Sequence, residues 1–260
     1  MQYISPIKLL DLKIPKSGEG LREYDLVRER KRILAEFELQ KSATIEIKRK
    51  ELDKLMVVQF FDELADPTLC KYHEAIFRDK NVMYFLEYNV IEKKAWKLKV
   101  EMMENVGFRA FVRPYFIHSY NQVMTEATSG REIIKLQNLL SKPMLVSPCD
   151  YEYCYSGTIG HLNSLLNYCQ THIYDDREFG FKSIKDVSNS KRVLVLNALP
   201  DYFNQLKDDY ALALCNLAIE IESNENLYEL WEKPMSSALG IECSPDTKRF
   251  VLKKNNELIQ

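Results

Sequence analysis

A mainly α fold follows from three observations on this 260-residue sequence. Apolar residues recur at three- and four-residue intervals through most of the chain. Strand-like alternation is confined to short stretches. Glycine is scarce, with only 8 residues, where an ordinary globular chain carries about 7%. That shortage removes many of the tight turns of β-rich folds and the loops that cradle phosphates in nucleotide-binding α/β enzymes. The expected architecture is an irregular multi-helix array, with solenoid-like stacking of helical pairs as one form of it. A small antiparallel sheet is expected to join residues near 43–48 to strands at the C-terminus.

Residues 1–20 read as an extended arm, because Ser5-Pro6, Pro15 and Ser17-Gly18-Glu19-Gly20 interrupt any helix. Tyr3-Ile4 suits a short strand. Leu21 to Gln40 reads as a helix with Leu26, Ile33, Leu34 and Phe37 along one side. Ala43 to Lys48 alternates, with Ile45 and Ile47 on one face and Thr44, Glu46 and Lys48 on the other, which predicts a strand.

From Glu51 to Leu140 helix follows helix. Asp66-Pro67 is a cap and a first-turn proline ahead of Leu69, Tyr72, His73, Ile76 and Phe77. His73, inside that apolar stripe, reads as a hydrogen-bonded core histidine. Ile91, Ala95, Leu98, Met102 and Val106 predict a further helix. Pro114 is expected to open the next one, and Ser129 with Glu132 to form a capping box before Ile133, Leu136 and Leu140.

Ser147 to Ile173 reads as the helix around which the rest is packed. Ser147 serves as cap, Pro148 suits the first position, and Ile159, Leu162, Leu166, Cys169 and Ile173 form the buried stripe. Gly157 and Gly160 offer a place where another helix comes close. Residues 174–190, polar and containing Gly180, read as a hinge or long loop. Tyr210 to Ile221 is apolar except for Asn216 and Glu220, so this helix is expected to be buried nearly all round. Asn226 to Trp231 reads as a short helix ending near Pro234, and Lys248 to Gln260 as a hairpin turning at Asn255-Asn256. The chain thus divides into an arm (1–20), a helical region with one early strand (21–174) and C-terminal helices with a hairpin (175–260). The last two are expected to pack as one domain. A faint echo between residues 61–87 and 196–232 fits stacked helical pairs and fits chance similarity between amphipathic helices about as well.

The balance of charge narrows the function classes. Formal net charge is −2 and the pI about 6.2, without the basic excess of a general nucleic-acid binder. Lys8, Asp11 and Lys13 interrupt the N-terminal apolar run, so no signal peptide is expected. No window approaches ~18 uninterrupted apolar residues, so no membrane span is expected. Six scattered cysteines suit reduced thiols in the cytoplasm.

Four groups of residues are candidates for function. Tyr151, Tyr153 and Tyr155 bunch at one helix start, and tyrosine suits a surface that is dry on one side and wet on the other. Cys154, His161, Cys169 and His172 are ligand types for zinc, although only Cys169-x2-His172 has a one-turn spacing. Cys154 and His161 lie roughly 10 Å apart along a helix axis. Arg28, Arg30, Lys31 and Arg32 form a basic run suited to phosphates, with Asp25, Glu29 and Glu36 near enough to offset it. Glu46-x-Lys48 resembles, over three residues only, the E-x-K half of restriction-type nucleases. With no catalytic signature elsewhere, the expected function is a non-enzymatic protein–protein interaction or scaffold protein, without cofactor, acting on a protein partner. The alternative is a metal-dependent nuclease-like or nucleic-acid-binding protein.

Overall fold

The computed structural model describes residues 1–14, 21, 23–48, 50–171, 184–223 and 228–259. Among them stand 13 α-helices and one two-stranded antiparallel sheet, so the protein is mainly α. The chain forms two compact units, residues 1–120 with 142–151, and residues 121–141 with 152–260. Helix Val106–Ser129 contributes residues to both.

In the first unit the N-terminal segment is not an extended arm. Ser5 Oγ accepts from the Lys8 amide (3.3 Å) and Pro6 opens the helix Pro6–Leu9. The dipeptide that reads as a helix breaker is instead an N-cap followed by proline at the first position, where its missing N–H costs nothing. Tyr3-Ile4 is not a strand. The Tyr3 amide donates to the Leu86 carbonyl (3.3 Å). Ile7, Leu9, Leu10 and Leu12 share a core with Leu26, Ile33 and Phe37 of helix Glu23–Gln40 and with Phe60, Phe61 and Leu64 of helix Lys54–Ala65. Residues 15–20 of the expected arm lie outside the described residues.

Polar groups hold this segment in register. Glu87, only 2% exposed, accepts from the Ser5 amide (2.7 Å) and from Lys8 Nζ (2.8 Å). Burial works against the Lys8 charge, but hydrogen bonds to Glu87 and Tyr88 outweigh it and hold the ammonium above its ordinary value. Tyr3 Oη meets His73 Nδ1 at 2.8 Å, and His73 Nε2 meets Glu63 Oε2 at 3.1 Å. His73 is therefore the hydrogen-bonded core histidine its stripe suggests. Its hydrogen bond holds the Glu63 carboxyl below the usual range.

The sheet pairs β1 (Thr44–Ile47) with β2 (Lys50–Asp53), Ile45 opposite Leu52, both buried. The expected partner at the C-terminus is not used. A hairpin closing through Lys48, at φ 49°, needs far less loop-closure entropy than pairing with the chain's other end. Asp53 then caps the next helix, its Oδ1 accepting from the Met56 amide (2.6 Å). Asp66 does the same for helix Pro67–Arg78, accepting from Thr68 and Leu69, as its Asp-Pro signal predicts.

Three expected helix starts fail for local reasons. Residues 89–99 are irregular, and only Val100–Met103 makes a helical turn. Asn89 in the left-handed region ends helix Lys80–Tyr88. Buried Asp79 then takes the amides of Lys97 and Leu98, and Lys142 Nζ donates to the carbonyls of Lys93 and Lys94. Side chains satisfy the backbone there, so no helix is needed. Pro114 does not open a helix but lies inside Val106–Ser129. The start belongs to Asn105, whose Oδ1 accepts from the Phe108 amide (2.8 Å). Ala110, whose carbonyl loses its helical partner four residues before Pro114, is an exposed residue. The capping box fails as well. Ser129 is still helical, its Oγ donating to the Glu126 carbonyl, and an N-cap needs extended backbone.

Ser147 precedes a 3-10 turn, Pro148–Asp150, and helix Tyr151–Thr171. Its Oγ donates to Asp150 (3.1 Å), and Arg113 donates to the same buried carboxylate through Nε (2.9 Å) and Nη2 (2.6 Å). The Arg113 guanidinium holds Asp150 below the usual carboxylate range. A depressed carboxyl contributes stability that is present above its unfolded value of about 3.9 and lost as pH falls through the folded one. Replacing Arg113 with Met should therefore lower stability at pH 7 and shrink the further loss on going to pH 3. Urea midpoints at both pH values check this, and an unchanged difference refutes it.

The second unit contains helix Asn204–Glu222. It packs against Glu232–Gly240 and Pro245–Ile259. Ala211, Ala213, Cys215 and Ala218 are buried while Asn216 and Glu220 are exposed. Small side chains let neighbours approach this helix on several sides. Pro234 sits in the first turn of Glu232–Gly240 and does not end a helix. Residues 174–183 of the expected loop and 226–227 of the expected short helix lie outside the described residues.

The expected C-terminal hairpin is a helix, Pro245–Ile259. Ser244 Oγ accepts from the Thr247 amide (3.4 Å), Pro245 takes the first position and Asp246 the first turn. Phe250-Val251-Leu252 looks like a strand, yet only Val251 is buried, as suits one face of a helix. Asn255 and Asn256 are simply part of it, and Lys254 pairs with Glu257 at 2.7 Å.

Candidate functional site

The structure separates the candidate residues. Tyr155 is buried against Tyr202 and Phe203, Tyr151 is half-buried and Tyr153 is exposed. Cys154 and Cys169 are buried in the second unit, and burial pushes the Cys169 thiol up to about 11. His172 lies outside the described residues. Among the described residues no group of three His, Cys, Asp or Glu is placed to hold a metal ion.

The basic run is largely paired. Arg28 meets Asp25 and Glu29, Arg30 meets Asp62 (2.9 Å), and Arg32 meets Glu29 (2.7 Å) and Glu36 (2.6 Å). Lys31 is exposed. Lys48 is not on the strand with Glu46. It occupies the turn and donates to the Lys8 carbonyl (2.7 Å) and to Asp11 (3.1 Å). The carboxylate opposite Glu46 in the ladder is Glu51, so the E-x-K geometry does not form.

What the first unit does form is a half-open cleft of about 520 Å³. Helix Glu23–Gln40 gives it Leu26, Val27 and Arg30, helix Lys54–Ala65 gives Phe61, Leu64 and Ala65, and the next helix begins its far wall with Pro67. Glu74 closes one end by accepting from the Leu21 amide (2.7 Å). Burial, with the Glu74 charge beside it, pushes the Cys70 thiol up to about 11, so it is no nucleophile at neutral pH. The guanidinium of Arg30 is engaged by Asp62. The floor is apolar, and Glu23 and Lys71 stand exposed at the rim. This arrangement can bind an apolar side chain between opposite charges.

Leu26 is visible in the sequence as a core position, but not the gap beside it. One signal for it exists. Val27 and Tyr24, one turn apart on a highly charged helix, are 47% and 75% exposed. Comparison of the chain with protein-family models, with curated proteins and with solved structures finds no match.

Proposed function

We propose that this chain is a non-enzymatic interaction protein and that an amphipathic helix of a protein partner docks in the cleft of the first unit. The observation that carries the reading is the cleft itself, with an apolar floor between helices and both charge signs at its rim. Helix-in-groove recognition uses such a site: apolar anchors at three- and four-residue spacing fill the floor, and rim charges set direction. Tyr24 and Val27 extend the apolar strip beyond the floor. Exposed Tyr153 remains a second contact residue in this reading, and the stacking of helical pairs belongs to the same proposal, since such arrays present long grooves.

A protein partner in a reducing, cytoplasmic setting fits six cysteines that stand singly. No helix among the described residues is long and apolar enough to cross a membrane. The nuclease-like and nucleic-acid alternatives lose their support with Lys48 held by Asp11 and three of the four basic residues paired to carboxylates.

The test places a photo-reactive residue at Val27 in the full chain and irradiates it in native extract. The expected result is a discrete adduct that disappears in Ala65→Glu, which puts a charge into the cleft from an exposed position and leaves thermal unfolding unchanged. The same adduct from a probe at exposed Asn256, or its persistence in Ala65→Glu, overturns the reading.

A further inference from the structure

The second unit contains a cationic cluster that no sequence motif announces. The Asp186 carboxylate lies between two guanidinium groups: Arg131 Nη2 donates to Oδ1, and Arg192 Nη2 donates to Oδ2 at 3.1 Å. Arg192 Nε also donates to the Asp186 carbonyl (3.3 Å). Arg192 is 3% exposed. His161 belongs to the same neighbourhood, for burial and then the charges of Arg192 and Arg131 lower its proton affinity.

The cluster is left short of acceptors. Arg192 Nη1, Arg131 Nε, His161 Nε2 and Thr158 Oγ1 are buried and have no hydrogen-bond partner among the described residues. Buried polar groups are almost always paired, and leaving one unpaired is costly. Two of these atoms are on the arginines and one is on the neighbouring His161, with Thr158 one turn before it on the same helix, so they are not a neutral feature of packing. The charges point the same way: two guanidinium groups face one carboxylate. Asp186 itself is half-exposed, with 48% of its side chain in solvent. Its side chain reaches solvent, while that of Arg192 does not.

We propose that Arg131, Arg192, His161 and Thr158 form a phosphate-binding site over which Asp186 closes when no ligand is bound. Arginine forks match phosphate oxygens bidentately and keep their charge at every accessible pH. The four side chains come from three segments: the turn after Ser129, helix Tyr151–Thr171 and helix Ser190–Ala198. Donors arriving from separate elements suit a tetrahedral oxyanion better than a planar one. The same positive field repels a divalent cation, which reverses the metal role that His161 and Cys169 suggest in the sequence. The ligand is a phosphate group, free or carried on a small phosphoester.

The test uses the full chain and inorganic phosphate, titrated by calorimetry at fixed ionic strength with chloride and acetate as comparisons. The expected result is saturable one-site binding of phosphate, weaker binding of acetate, and a rise in thermal midpoint with phosphate concentration. Arg192 is deeply buried and its variants risk unfolding, so the decisive variants are Arg131→Gln and Asp186→Asn. Arg131→Gln should weaken phosphate about tenfold, and Asp186→Asn, which removes the competing carboxylate, should tighten it about tenfold. A purely structural ion pair predicts no tightening in Asp186→Asn. The proposal is overturned by no saturable heat in either wild type or Asp186→Asn, by unchanged affinity in Arg131→Gln, or by acetate binding as tightly as phosphate.

Discussion

Lys8→Met should destabilise the protein by about 2–3 kcal/mol, because it leaves the Glu87 carboxylate buried with only the Ser5 amide for company. A fully buried pair broken on one side costs about 3–5 kcal/mol, and Lys8 is partly in water, so the loss falls at or below the bottom of that range. The loss should be local first. Residues 3–12 are tied down by Glu87, by the Tyr3–His73 hydrogen bond and by Ile7, Leu9, Leu10 and Leu12 in the core. Hydrogen exchange there should quicken before the rest of the chain responds. The double variant Lys8→Met with Glu87→Leu should cost less than the sum of the two single changes, since neither charge then lacks its partner. Urea denaturation and exchange on all three variants measure this. Unchanged midpoint and unchanged protection in Lys8→Met would show that Glu87 does not hold the segment.

Two glycines one turn apart should respond to alanine with opposite signs. A Cβ on Gly157 meets Thr125 Oγ1 at 2.4 Å and Asn121 Oδ1 at 3.0 Å, while the Gly157 amide donates to Asn121 at 2.8 Å. Thr125 and Asn121 belong to a neighbouring helix, so the methyl either clashes or forces the two apart. Overpacking of this kind costs about 1–3 kcal/mol. Gly160 is exposed with nothing within 4 Å of the added carbon. There alanine replaces the poorest non-proline helix former by the best and should add up to about 1 kcal/mol. Thermal or urea unfolding of Gly157→Ala and Gly160→Ala decides it, and shifts of the same sign in both would refute the close approach at Gly157.

Much of the helical order was readable before any coordinates. Asp66-Pro67 starts a helix because its cap bonds are made within three residues. Tyr210 to Ile221 is buried nearly all round because nearly every residue there is apolar. Several of the errors share a cause. Pro6, Pro114, Pro234 and Pro245 all lie within helices, and whether a proline breaks, opens or merely rides a helix depends on who satisfies the freed carbonyl. Phe250-Val251-Leu252 carries strand propensity, but Ser244-Pro245-Asp246 ahead of it is a helix start that outweighs three residues. For the candidate site, Leu26 was visible as a stripe position, but a gap between two helices is a property of packing. The arginine cluster was invisible because Arg131, Asp186 and Arg192 meet only after the chain has turned back on itself.

The sequence by itself determined the class of fold and the boundaries of its strongest helices, because periodicity and capping act over three or four residues. Tertiary structure alone decided which strand β1 pairs with, where the apolar cleft opens and which charges are left short of partners. Those outcomes depend on the distance between residues far apart in the chain, and no local pattern encodes a distance.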